Sequence, residues 1–136
     1  MTKPVRLQLS RRKDFDLQAW SRETNGLEAV KVNRSTEFGN PFPISKAKET
    51  RAGTTIDVWA VGTWSGPGMW FIRTADEATD VSVKAFSAWI KHNCRASLRA
   101  RAMRDLRGKN LACWCAADQP CHADVLLEIA NTAEGA

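Results

Sequence analysis

Tyrosine is absent from this chain of 136 residues, and histidine occurs only twice. Six tryptophans stand beside that absence and read as core and edge packing rather than as a stacking surface. No apolar run approaches the ~18 residues that span a bilayer, so neither a membrane helix nor a membrane partner is expected. The opening Met1-Thr2-Lys3-Pro4 lacks the apolar core of a secretory leader. A cytoplasmic location is therefore expected, the host's if a phage encodes the chain. There is no internal repeat and no low-complexity tract. The paired C-x-x-C knuckles of familiar zinc modules are also missing.

The length suits one domain whose core needs no disulfide staples. Hydrophobic residues at 43% and charged residues at 26% are ordinary for a globular chain. The net charge of +5 suits an anionic partner, or simply a solvated basic surface. Four cysteines without an export signal point to reduced thiols that are buried, metal-bound or reactive.

Val5, Leu7 and Leu9 alternate with polar residues as in a half-buried strand. A polar segment, Asp14 to Glu23, leads to the turn signal Asn25-Gly26, and Val30 and Val32 mark a second strand. In Phe38-Gly39-Asn40-Pro41-Phe42-Pro43, glycine frees the backbone while the prolines stiffen it. The result is a rigid loop, either purely structural or holding Asn40 and Arg34 in place. Lys46 to Gly53 reads as a mobile charged segment. Thr55–Trp59 and Met69–Ile72, around Ser65-Gly66-Pro67-Gly68, read as a hairpin. Thr74 and Glu77 have capping-box spacing for a helix whose stripe is Ala78, Val81, Ala85, Phe86, Trp89 and Ile90. A further helix, Arg95 to Arg107, carries five arginines against the single Asp105, and Gly108 ends it. That face is either solvated or turned toward an anionic partner.

The densest chemistry lies between Gly108 and Leu127. Leu111 to Cys115 is short, apolar and uncharged, which suits a central buried strand. Pro120 suits a first helical turn, with Gln119 or Asp118 as N-cap and a helix continuing to about Ala130. Thiols therefore gather where a strand ends and a helix begins, a usual place for sites in α/β proteins.

Four readings of this box stand open. Cys113, Cys115, Cys121 and His122 make a Cys3His set for Zn2+, the candidate cofactor, although adjacent side chains on a helix diverge by about 100°. Alternatively, Cys121 is a nucleophile near a helix N-terminus, with His122 as base and Asp124 as orienting carboxylate. A third reading is an anion pocket of first-turn amides, clamped by Arg34 or Arg11. The last is a set of packed thiols with a hydrogen-bonded His122.

Arg34-Ser35-x-x-Phe38-Gly39-Asn40-Pro41-Phe42, Leu106-Arg107-Gly108-Lys109-Asn110-Leu111-Ala112-Cys113-Trp114-Cys115 and Cys121-His122-Ala123-Asp124-Val125-Leu126 together resemble a family of small bacterial and phage domains of unknown function. The run Arg6 to Arg11 is similar to one branch of it, and the likeness extends to about Asn131. The resemblance implies a small α/β domain and carries no activity. Residues 44–73 depart from the family's compact pattern and read as an insertion.

The expectation is one α/β domain over residues 1–136, with a mixed central β-sheet flanked by helices, an inserted β-hairpin and a disordered tail at 131–136. Its pocket would lie between the Phe38–Pro43 loop, Arg34 and the cysteine box. It would recognise or process a nucleotide-like anion, with Arg34 and Arg11 on phosphate, Asn40 on a polar group, and Cys121, His122 and Asp124 in any chemistry. The alternative is a zinc-stabilised basic module that docks nucleic acid or a host protein through the arginine helix. Whether the domain is an enzyme, and its oligomeric state, are left open by the sequence.

Overall fold

The computed structural model describes residues 2–132. It is an α/β domain whose strands segregate into two sheets of three. The first is all parallel, ordered β1 (Arg6–Gln8), β6 (Asn110–Cys113), β2 (Ala29–Lys31). All four residues of β6 are buried, as the uncharged run Leu111–Cys113 requires of a central parallel strand. The second sheet is antiparallel, ordered β3 (Ile44–Arg51), β4 (Thr54–Gly62), β5 (Met69–Ile72).

Each face of the parallel sheet is covered. On one, Leu7, Leu9, Ala29 and Ala112 pack with Phe15 and Leu17, the latter from α1 (Leu17–Asn25). On the other, Leu111 and Cys113 join the main core with α2 (Ala75–Lys91), α3 (Ala96–Leu106) and α4 (His122–Asn131). Phe86, Ile90, Leu106, Leu111 and Leu126 are fully buried there. Each such side chain contributes about 1.5–3 kcal/mol. Helix α2 packs on the second sheet and against α3 and α4, with Val61 and Trp59 of β4 resting on the same core. Among the described residues no helix is long and apolar enough to cross a membrane.

Three local expectations need correction. The polar segment before Asn25-Gly26 is helix α1, capped by Asp16, whose side chain accepts from the Ala19 amide, and closed by Gly26 at φ 82°. The turn signal was the end of a helix. Lys46–Gly53 is not a loose segment but most of β3 and its turn. Its charges lie along an edge strand, where Lys48 pairs with Asp57 on β4 and Arg51 with Glu49. Residues Ala52 and Gly53 (φ 48° and 81°) make the two-residue turn into β4. Helix α4 starts at His122 with Cys121 as its N-cap, two or three residues beyond the expected Gln119 or Asp118. At the expected disordered tail, Asn131 ends α4 and accepts a hydrogen bond from the Gly108 amide, while residues 133–136 lie outside the described residues. The hairpin of β4 and β5, by contrast, lies where the sequence suggests.

Asn110 locks β6 to its neighbours. Its fully buried amide accepts from the Val5 amide, donates to Ser21 Oγ at 2.7 Å, and exchanges two 2.8 Å bonds with the amide of Asn25. Every polar atom is satisfied, so truncation leaves several orphaned groups, each worth about 1–3 kcal/mol. Asn110→Ala is expected to lower stability by about 2–4 kcal/mol in chemical unfolding, with the Asn25 end of α1 loosening first in hydrogen exchange.

Candidate functional site

The C-terminal ends of the three parallel strands and the N-terminus of α4 meet on one side of the molecule. Cys113 ends β6, Cys115 follows half-buried, and Cys121 returns as the α4 cap. Their three sulfurs lie within 4.8 Å of one another, so the triad could bind a metal. Cys113 and Cys121 are 2.9 Å apart as free thiols joined by a hydrogen bond. Cys121 closes a capping box, its sulfur accepting from the Ala123 amide while Asp124 accepts from the Cys121 amide.

Charge in this cluster is shared. Hydrogen bonds from Cys115 and then Cys121 pull the Cys113 thiol far below its ordinary range, against the opposing effect of burial. The same contacts with Cys113 push Cys115 and Cys121 up. The three thiols are thus not equivalent: their mutual contacts favour the charged form at Cys113 and disfavour it at Cys115 and Cys121. His122 is buried, and burial holds its imidazole below the ordinary value despite the hydrogen bond to Val32. Its Nε2 donates to the Val32 carbonyl at 2.6 Å, its ring stands edge-on to Phe86, and Nδ1 lies 3.6 Å from Cys121 Sγ.

Sequence reasoning missed Arg6. Parallel register places it opposite Leu111, on the core side of the sheet, rather than in solvent as its alternation suggests. Its guanidinium donates to the carbonyls of Ala116, Ala117 and Gln119 and pairs with Asp124 at 3.2 Å. Burial opposes its charge, but Asp124 and the cysteine sulfurs outweigh that and hold it above its ordinary value. The loop from Trp114 to Pro120 is thereby tied to β1.

A cleft of about 260 Å³ opens beside the triad. One wall is Asn33, Arg34, Asn40, Phe42, Pro43 and Ile44; the other is Cys113, Trp114, Cys115 and His122, with Ser82 of α2 at the back. Gly39 explains why the first wall holds its shape. A Cβ there would lie 2.6 Å from the Arg34 Cα and 2.9 Å from the Asn33 carbonyl oxygen, so only glycine lets the two segments touch. Asn40 accepts from the Phe42 amide and donates to Ser82 Oγ, which itself donates to the Phe42 carbonyl. Ser82 also escaped the sequence reading, although it sits four residues from both Ala78 and Phe86 on the buried stripe.

The remaining candidates separate. Arg34 lines the cleft, exposed, with no hydrogen bond or ion pair among the described residues. Arg11 stays outside it and stacks on Trp114 at 5.0 Å. Asn40 spends both ends of its amide on the loop and α2. Cys121 is 1% exposed, and Asp124 is turned to Arg6 and the Cys121 amide, with no hydrogen bond to His122 among the described residues. A larger groove of about 500 Å³ lies elsewhere, on the second sheet between Lys46, Asp57, Trp59 and Arg73.

The family model of the domain of unknown function DUF4326 matches residues 16–132. The chain belongs to that family. No curated protein and no solved structure matches it. The family's span contains both walls of the cleft and the whole triad, while β1 and Arg6 precede it.

Arg6→Ala is expected to remove four polar contacts at a site where the side chain is only 14% exposed. Stability should fall by about 2–4 kcal/mol, since charged hydrogen bonds are worth about 1.5–3 each before relaxation. Limited proteolysis should then cut within Ala116–Gln119 faster than in the wild type.

Proposed function

We propose that the cleft beside the cysteine triad recognises a nucleotide-like anion. The observation that carries this reading is Arg34, an unpartnered guanidinium on the wall of a pocket whose other groups are mostly committed to one another. A planar five-donor fork of this kind suits phosphate or carboxylate. Trp114 and Phe42 supply flat apolar surface beside it. The volume is below the roughly 300–1,000 Å³ of drug-sized pockets, so a mononucleotide fragment fits better than a dinucleotide.

Recognition is better supported than covalent processing. Cys121 is sealed in the core and Asp124 is bonded elsewhere, so no nucleophile, base and orienting group line up on the cleft. The first-turn amides of α4 are also engaged by its own capping box. An anion would therefore rest on Arg34 rather than on the helix end.

A nucleoside monophosphate panel tests this by thermal shift. A ligand at 100 times its Kd adds about 2.7 kcal/mol of stability, several degrees in Tm. Arg34→Ala should abolish the shift and leave the unliganded Tm unchanged. No shift of the wild type by any member of the panel ends the reading.

The second reading, a metal-stabilised module docking nucleic acid or a host protein, draws on the triad. Against it, the arginines of α3 are largely taken. Arg99 caps the carbonyls of Ile90 and His92, Arg107 those of Ala130 and Thr132, Arg101 pairs with Glu37 and Arg104 with Asp105. A module of that kind would bind duplex DNA with an affinity falling about 10³–10⁵-fold between 50 and 200 mM salt. The occupied arginines predict no retardation of duplex DNA at physiological salt, and a steep salt dependence would restore the module.

A further inference from the structure

We infer that Cys113, Cys115, Cys121 and Nδ1 of His122 form a closed four-ligand zinc site, set beside Arg6, that shapes the cleft without acting on its occupant. The step beyond the three sulfurs is the imidazole. His122 is 6% exposed, and its Nε2–H is committed to the Val32 carbonyl at 2.6 Å. Its Nδ1 therefore holds a buried lone pair, and the neighbour facing that nitrogen is the Cys121 sulfur at 3.6 Å. An imidazole whose far N–H donates to a backbone carbonyl is oriented as metal-ligating histidines are.

Adjacency of Cys121 and His122 is no obstacle in this setting. The divergence of about 100° holds for neighbours within a helix. Cys121 lies outside the helix as its N-cap, at φ −147° and ψ 148°, so its side chain is set by extended backbone and folds toward the imidazole. The imidazole lies outside the 4.8 Å cluster of the three sulfurs and touches it at Cys121, so closing the fourth position requires Nδ1 to shift toward Cys113 and Cys115.

Charge balance points the same way. Three thiolates, a neutral imidazole and Zn2+ sum to one negative charge, which a buried setting tolerates only beside a cation. Arg6 is the cation beside it, held by the loop carbonyls and shared with the half-exposed carboxylate of Asp124. On binding, Zn2+ takes the sulfur lone pairs and the displaced thiol protons leave to solvent. Thiolate-rich sets select zinc over magnesium or calcium. Four protein ligands leave no open position for water or substrate, the mark of a structural site rather than a catalytic one.

The full chain, purified without chelator from zinc-supplemented medium, gives the decisive spectrum. X-ray absorption at the zinc edge should show about one zinc per chain, three sulfurs at about 2.3 Å and one imidazole nitrogen at about 2.0–2.1 Å. Absence of zinc overturns the proposal, and so does a centre of three sulfurs with an oxygen and no imidazole, which would be an open site. Arg6→Gln should weaken zinc binding about 10–100-fold in competition with a chromophoric chelator, as loss of outer contacts to metal ligands does elsewhere. Unchanged affinity removes Arg6 from the centre. Because the spectrum needs neither a nucleotide nor Arg34, failure of the cleft reading and failure of this one are separately visible.

Discussion

One side chain, Arg6, ties the beginning of the described chain to its chemistry. A guanidinium on the first strand reaches three carbonyls of a loop more than a hundred residues away, and the carboxylate that caps the last helix. Without it the loop from Trp114 to Pro120 would lose its tie to the first strand, and Asp124 would lose its counter-charge. The parallel pairing of β1 with β6 sets the register that aims Arg6 inward, so the order of the sheet and the order of the thiol cluster are one constraint.

The second sheet matters to the site through α2. Ser82 touches both Asn40 and the Phe42 carbonyl, so the rigid loop is fastened to the helix that also supports Trp59 and Val61. Gly39 completes the arrangement by letting the loop lie directly on Asn33 and Arg34. What looks in sequence like a free Gly-Asn-Pro-Phe turn is a clamp with contacts on two sides.

Much of this was legible where the signal is local. The uncharged run ending at Cys113 marked the central strand, Thr74 marked the start of α2, and the glycines around Pro67 marked the turn between β4 and β5. Membership of the family, too, was carried by short boxes. Signals that depend on partners were not legible. Nothing in Lys46–Arg51 itself says that Asp57 will face Lys48 across an antiparallel ladder. Alternation gave Arg6 to solvent because a single strand does not reveal that both faces of its sheet are covered. The arginines between Arg95 and Arg107 looked like a charged surface, yet Arg99 in α3 and Arg107 just after it close the ends of other helices, a role invisible until those ends are placed. Cys121 read as a first-turn residue because Pro120 imitated a helix start, whereas the sulfur itself serves as the cap.

The buried hydrogen bond from His122 to the Val32 carbonyl joins the start of α4 to the residue that precedes Asn33 and Arg34 on the cleft wall. Val32 is also bonded through its own amide to Ala112 of the central strand. Drawing Val32 away from α4 would therefore break a bond at the margin of the parallel sheet as well as the one to His122.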